Sequence, residues 1–101
     1  RHDWEMGYSL IVTESAKEES IKAFLWYESR KEGLGEEFFK ELNDLYDYIE
    51  ENPGLFPVKR KRIYHEAVVK RFPFVVVYAV NGSMIRVLSV FKTPQDPTKK
   101  P

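Results

Sequence analysis

The clearest pattern in this chain is a ridge of apolar residues at helical spacing in its first half. The ridge consists of residues at steps of four, three and four, namely Phe38, Leu42, Leu45 and Ile49. This spacing predicts an amphipathic helix over Glu36–Glu51. The helix should end before Pro53, because proline cannot extend the helical hydrogen-bond ladder.

A strand and another helix are predicted before this ridge. Tyr8–Val12 is short and largely apolar, as expected of a strand. Ser15 and Glu18 have the spacing of a capping box, which predicts a helix over Ser15–Arg30. The core-facing stripe of this helix is predicted from the residues at helical spacing, namely Ile21, Phe24, Leu25 and Tyr27. Because the link to the ridge is short, the two helices should form an antiparallel hairpin.

In the second half of the chain the apolar period changes from 3.6 to 2, which indicates strands. Ile63–Val69 is predicted as a strand with a break near Glu66–Ala67. Phe74–Val80 is almost wholly apolar, as in a central strand. Asn81-Gly82 then predicts a tight hairpin, because both residues tolerate positive φ. Met84–Phe91 should return as the partner strand.

The order strand, helix, helix, strand, strand, strand predicts an α+β fold. Its helical hairpin should pack on a small, mainly antiparallel sheet. A single domain is expected over residues 8–97, because 101 residues leave no room for two. Residues 1–7 are interpreted as a cloning or upstream remnant, with Met6 as the natural start, and residues 98–101 as a loose tail.

Composition argues against several kinds of site. The chain has no cysteine, so it can form neither a disulfide nor a thiolate metal site. Its two histidines, His2 and His65, belong to no cluster with metal-ligand spacing, and no glycine-rich phosphate loop is present. Neither a metal nor a cofactor is therefore expected. No apolar run approaches the ~20 residues that span a bilayer, so we expect a cytoplasmic protein with no membrane partner.

The formal net charge of zero conceals an uneven distribution. Residues 14–51 carry 12 acidic and 5 basic side chains, whereas residues 58–101 carry 10 basic and 2 acidic ones. The basic residues that border the predicted strands are Lys59, Arg60, Lys61, Arg62, Lys70, Arg71 and Lys92. Since consecutive strands of a meander usually pair, these residues are expected to converge on one sheet edge and to bind an anionic target or a partner protein. The alternative is a solvated basic surface that only maintains solubility.

Three residues are candidates for catalysis, namely His65, Arg71 and Lys92. His65 could act as a general base near neutral pH, although a half-buried structural histidine would have the same pattern. Strict alternation along the strand places Tyr64 and Glu66 on the face opposite His65. The two cations could stabilise negative charge on a scissile phosphate.

Six segments of the chain, taken together and in their order, are similar to segments of one known family. They are Ala16–Glu19, Phe24–Tyr27, Glu50–Pro53, Arg71–Phe74, Val76–Val80 and Ile85–Lys92. In this respect the chain resembles the RelE/ParE superfamily, the toxins of type II toxin–antitoxin systems. The resemblance extends from about Tyr8 to Pro97 and implies the same α+β fold.

The resemblance implies one of two activities. RelE-like members cleave messenger RNA on the ribosome through arginines, lysines and often a tyrosine, whereas ParE-like members inhibit DNA gyrase and hydrolyse nothing. Val75 and Thr93 occupy positions where the nuclease branch has arginine, so whether this chain is an enzyme stays open. The implied partners are a cognate antitoxin and either DNA gyrase or the ribosome with messenger RNA. A non-catalytic interaction module that keeps the fold without toxicity is the alternative.

Overall fold

The structure, a computed structural model, describes residues 7–56, 58–59 and 63–93. Its helices are α1 (Glu14–Arg30) and α2 (Leu34–Glu51). Its strands, in chain order, are β1 (Ser9–Val12), β2 (Val58–Lys59), β3 (Tyr64–Val68), β4 (Phe74–Asn81) and β5 (Met84–Lys92). The predicted order of elements is confirmed, with the two-residue β2 as an addition. Apart from Gly7, the predicted N-terminal remnant and the C-terminal tail lie outside the described residues.

The strands form one mixed sheet in the order β1-β5-β4-β3-β2. Strands β3, β4 and β5 are the predicted antiparallel meander, and β2 pairs antiparallel with β3. Strand β1 pairs parallel with β5, with Leu10 opposite Ile85 and Val12 opposite Val87. These four side chains belong to or pack against the core beneath the helices. The mainly antiparallel sheet is thus confirmed.

Helix α1 is capped by Thr13 and not by the predicted capping box. The Thr13 hydroxyl accepts a hydrogen bond from the Ala16 N–H at 3.4 Å and donates one to the Val87 carbonyl at 2.9 Å. One side chain therefore caps the helix and ties its first turn to β5. Ser15 lies inside the helix, one residue after its first residue Glu14, so the predicted position of the start is confirmed to within one residue but the predicted cap is wrong. The physical reason is that β1 ends at Val12 and α1 begins at Glu14, so Thr13 is the single residue between them and takes the capping position.

Helix α1 packs mainly through small residues. Its buried positions are Ala16, Ser20, Ala23 and Tyr27. Of the predicted stripe, Tyr27 is confirmed, whereas Ile21 and Leu25 are 51% and 59% exposed. Their assignment to the core was wrong because the small side chains, which allow close approach to β5 and α2, define the packed face.

Helix α2 buries the predicted ridge, and its first turn is capped from α1. Phe38, Leu42 and Ile49 are buried, and Leu45 packs against the core. The Glu28 carboxylate accepts hydrogen bonds from the backbone N–H groups of Gly33 and Gly35, both at 2.8 Å. These bonds satisfy two donors that have no partner within the helix, and the negative charge complements the helix dipole.

The sheet contains a register shift between β4 and β5. Strand β3 runs without interruption, so the break predicted near Glu66–Ala67 was wrong. On β5, beyond the shift, the Glu19 carboxylate of α1 accepts hydrogen bonds from the Ser89 hydroxyl at 3.1 Å and the Val90 N–H at 2.8 Å. A helix carboxylate therefore satisfies strand donors near the irregularity and fixes α1 against β5.

An aromatic cluster fills the core at the end of the sheet where β3 passes into β4. The Phe38 ring centroid lies 5.3 Å from that of Phe72 and 5.0 Å from that of Phe74. Tyr27 meets Phe72 edge-on at 4.9 Å. These edge-on and tilted contacts suit the ring quadrupoles. They hold the β3–β4 turn, which carries Lys70 and Arg71, against both helices.

Candidate functional site

The basic residues predicted to bind a target do not share one edge of the sheet. Lys59 belongs to β2 and pairs with Tyr64, at the beginning of β3. Lys70 and Arg71 follow the opposite end of β3, about 20 Å along the strand direction at ~3.3 Å per residue. Arg60, Lys61 and Arg62 lie outside the described residues. The expectation that the whole set converges was wrong, because β3 separates its two groups.

Lys92 lies at the same end of the sheet as Lys70 but nearer to the opposite edge. It ends β5 and pairs with Phe74, the first residue of β4. Since β4 lies between β5 and β3, Lys92 is separated from the β3–β4 turn by the width of a strand. The Lys92 ammonium lies 5.3 Å from the centroid of the Trp26 ring on α1. The Lys92 ammonium therefore contacts α1 and lies apart from the other described residues of the predicted basic set.

Arg71 is engaged within the chain. Its guanidinium contacts the Glu37 carboxylate at 3.0 Å and the Glu41 carboxylate at 3.1 Å. These hydrogen bonds, chiefly that to Glu41, raise the pKa of Arg71, so it stays cationic. Its backbone φ of 70° is left-handed, a conformation that L-residues rarely adopt. Glu37 and Glu41 on α2 thus neutralise the charge of Arg71, which was predicted from the sequence to bind a target.

His65 has a structural environment. Its ring stacks on Tyr78 with centroids 4.8 Å apart and an interplanar angle of 9°. Its Nδ1 lies 2.8 Å from the Phe56 carbonyl, which requires a proton on Nδ1 for a hydrogen bond. The Tyr78 hydroxyl donates to the Pro53 carbonyl at 2.8 Å, and burial raises the pKa of Tyr78 to about 12. Together His65 and Tyr78 fasten the turn after α2 to the sheet.

The three catalytic candidates are not brought together. His65 pairs with Tyr78, and Lys92 pairs with Phe74, four residues away along β4. Arg71 lies in the turn and faces α2. Among the described residues, no group of three or more histidines, cysteines or acidic residues could hold a metal ion.

Val75 and Thr93, which the resemblance aligns with arginines of the nuclease branch, carry no cation. Val75 is buried and pairs with Val68 on β3 and with Phe91 on β5. The Thr93 backbone N–H donates to the Pro73 carbonyl at 2.8 Å. Both residues therefore stabilise the sheet and its adjoining turn, and neither could stabilise charge on a phosphate.

A groove between α1 and α2 was not foreseen from the sequence. Its volume is about 220 Å³, and its lining residues are Val12, Lys17, Ser20, Ile21, Phe39, Leu42, Asn43 and Tyr46. The exposed Ile21 forms part of its wall. The sequence contains a signal for this groove. Helix α1 has apolar residues on more than one face, whereas packing against the core needs only one apolar stripe.

The groove also contains a buried polar group. The Tyr46 hydroxyl is buried without a hydrogen-bond partner of good geometry among the described residues, although the Ser20 side chain lies nearby. The Ser20 hydroxyl donates its own proton to the Ala16 carbonyl. Burial raises the pKa of Tyr46 to about 12, against a smaller lowering effect of Ser20. A buried donor of this kind costs free energy unless a partner satisfies it.

Among the described residues, no helix is long and apolar enough to cross a membrane. The family model described as "ParE toxin of type II toxin-antitoxin system, parDE" matches residues 10–97. Among solved structures, the chain is similar to one described as "Chromosomal ParDE TA system from P. aeruginosa", with a TM-score of 0.78 and 15% sequence identity. That similarity covers 88% of this chain and 99% of the other, and at this identity it shows the fold alone. No curated protein matches the chain significantly.

Proposed function

Because this chain belongs to the ParE toxin family of type II toxin–antitoxin systems, we propose that it arrests bacterial growth by inhibiting DNA gyrase without hydrolytic chemistry. The family also implies a cognate antitoxin that holds it inactive. The target is cytoplasmic in this proposal.

The observation that carries the non-hydrolytic proposal is the environment of the three catalytic candidates. His65 has its Nδ1 bonded to a backbone carbonyl, Arg71 is paired with two glutamates, and Lys92 lies over an indole ring. A hydrolytic site needs its groups within hydrogen-bond reach of one reacting centre. These residues lie on separate elements, and Val75 and Thr93 supply no further cation.

The basic segment Lys59–Arg62 is the proposed contact with the target. Lys59 follows Val58, which pairs with His65, and His65 is itself bonded to the turn before β2. The anchored turn therefore comes just before the basic segment in the chain. Cations in this segment can speed association with an anionic surface and complement it.

The groove between α1 and α2 is the proposed site for an antitoxin segment. Its apolar walls and the exposed Ile21 suit the apolar side of an amphipathic helix, which binds by insertion into such a groove. A polar group of the antitoxin would also satisfy the Tyr46 hydroxyl. This proposal predicts that groove substitutions impair neutralisation and leave toxicity intact.

Induced expression in a bacterial host tests toxicity, and two assays then separate the mechanisms. Purified protein should inhibit supercoiling by DNA gyrase, and primer extension should find no new cuts in ribosome-bound messenger RNA. Such cuts, together with unimpaired gyrase, would favour the ribonuclease branch. Absence of growth arrest from well-expressed, folded protein would favour the non-toxic interaction module.

Two pairs of variants identify the surfaces. Replacing Lys59–Arg62 by alanine should abolish growth arrest, whereas replacing four exposed cations elsewhere should not; these controls are Lys22, Lys31, Lys40 and Arg86. Persistent arrest in the first variant would refute the role of the basic segment. Ile21→Asp should escape the antitoxin, whereas Ile11→Asp, on the other face of the sheet and similarly exposed, should remain neutralised.

A further inference from the structure

Two cations lie over one exposed indole ring on the surface of α1. The Arg30 guanidinium carbon is 4.3 Å from the Trp26 ring centroid, and the Lys92 ammonium is 5.3 Å from it. Trp26 is 47% exposed, although tryptophan is usually well buried. The cationic groups are therefore within about 10 Å of each other, roughly one Debye length at 0.1 M salt.

Neither cation is neutralised within the described part of the chain. No carboxylate there lies within ion-pair distance of Arg30 or Lys92. Glu19, two helical turns before Trp26, is bound by the Ser89 hydroxyl and the Val90 N–H. The patch thus has a net positive charge on a helical hairpin that is otherwise acidic.

A cavity adjoins the ring. Its volume is about 210 Å³, and it is lined by Ala23, Trp26, Tyr27, Phe74 and Lys92. Three of these residues are aromatic, and Lys92 adds the ammonium. The volume is below the ~300 Å³ at which pockets for drug-sized ligands begin. The cavity therefore suits a single flat ring, with any charged part of the ligand outside it beside the cations.

We propose that Trp26, Arg30, Lys92 and the adjoining cavity form a binding subsite for one nucleotide of single-stranded nucleic acid. A base enters the cavity against the aromatic rings, and the phosphates on either side of it contact Arg30 and Lys92. Stacking on aromatic rings combined with backbone cations is how proteins bind single strands without sequence preference. A purely apolar partner would leave both cations unused, and a bare phosphate would not use the cavity.

This subsite is separate from the position of Val75 and from the basic segment. Phe74, in the cavity, and Val75, where the nuclease branch has arginine, point to opposite faces of β4 because side chains alternate along a strand. Lys59 belongs to β2, at the far edge of the sheet, whereas Lys92 belongs to β5. The inference therefore does not depend on the proposed inhibition of gyrase, and its test uses no toxicity assay.

The test measures binding of a labelled oligothymidine about 10 nucleotides long, within the range of known single-strand sites. Fluorescence anisotropy follows the oligonucleotide, and intrinsic fluorescence follows Trp26. The chain has two tryptophans, so a Trp4→Phe background leaves Trp26 as the only indole. Saturable quenching of Trp26 that parallels the anisotropy change is the expected result.

Variants of the ring and of one cation separate the two contributions. Trp26→Leu should weaken binding by about 5-fold to 150-fold, the range for loss of one base–aromatic stack, and Trp26→Phe should restore much of it. Lys92→Gln should lower the slope of log K against log salt by about 0.7, as expected for one phosphate contact of a single strand. The matched control is Arg86→Gln, an exposed cation on the other face of the sheet, which should leave the slope unchanged.

Three results would overturn the proposal. One is the absence of oligonucleotide binding at about 50 mM salt, where backbone contacts are strong. Another is binding that leaves Trp26 fluorescence unchanged, which would place the oligonucleotide elsewhere, as on the basic segment. The third is wild-type affinity for the oligonucleotide in the Lys92→Gln and Trp26→Phe/Lys92→Gln proteins. Both proteins should remain folded, because the replaced side chains are exposed.

Discussion

Substitution of Gly35 by alanine should destabilise the protein even though alanine favours helices. A Cβ at this position would lie 2.7 Å from the Phe24 Cδ1 atom, 2.7 Å from the Phe24 carbonyl oxygen and 2.8 Å from the Glu28 Oε1 atom. Optimal contacts between carbon atoms are about 3.5–4.0 Å, so α1 and α2 must separate by up to about 1 Å. The backbone carbonyl cannot relieve this clash by changing a rotamer.

The expected magnitude follows from three opposing contributions. Alanine gains about 1 kcal/mol of helix propensity over glycine. Overpacking costs about 1–3 kcal/mol. Displacement of the Glu28 carboxylate weakens its hydrogen bond to the Gly35 N–H, and bonds to charged groups contribute about 1.5–3 kcal/mol. The net loss should be about 2 kcal/mol, which lowers Tm by about 10 °C in a domain of this size.

Urea denaturation and thermal unfolding measure this change. Gly54→Ala is the matched control, because no atom lies within 4 Å of its added Cβ, and it should change the unfolding free energy by less than about 1 kcal/mol. Gly35→Ala should also alter antitoxin binding, since the same helix spacing shapes the groove. A Gly35→Ala protein as stable as the wild type would refute the close approach of the helices.

Three further outcomes follow from the contacts described above. The stability that the buried Tyr46 and Tyr78 hydroxyls contribute should be complete below pH 10 and be lost between about pH 10 and 12, because burial raises their pKa from 10.0 to about 12 and the unfolded state loses these protons first. Phenolate absorbance of the wild type and of Tyr46→Phe checks this, and two unperturbed tyrosine titrations would contradict it. Glu19→Ala should cost about 1–3 kcal/mol in urea unfolding by leaving the Val90 N–H unpaired, whereas Glu19→Gln should cost less. Arg71→Gln should leave urea unfolding close to that of the wild type, since the Arg71 guanidinium is exposed and solvent screens its ion pairs; a clear loss of stability would show that these pairs hold the turn.

The sequence predicts the elements whose apolar pattern has a single interpretation. Helix α2 and strand β4 were predicted well because the apolar ridge of α2 and the apolar run of β4 each extend over most of the element. Helix α1 was predicted in position but not in orientation. Its buried Ala16 and Ala23 contribute little apolar signal, whereas the exposed Ile21 and Leu25 contribute much.

The parts of the site that sequence could not predict depend on contacts between distant residues. Arg71 pairs with Glu37 and Glu41, about 30 positions earlier, and only the packing of the β3–β4 turn on α2 brings them together. The proximity of Lys92 to Trp26 likewise follows from the placement of β5 beside α1. Charge counts identify such residues but do not show which of them neutralise one another.

A supercoiling assay with purified DNA gyrase and the purified full chain tests the proposed inhibition of gyrase most directly. We expect dose-dependent inhibition that the Lys59–Arg62 alanine variant loses. A variant lacking the same number of cations elsewhere should keep this inhibition. Full supercoiling activity in the presence of folded, growth-arresting protein would show that the chain does not act on gyrase.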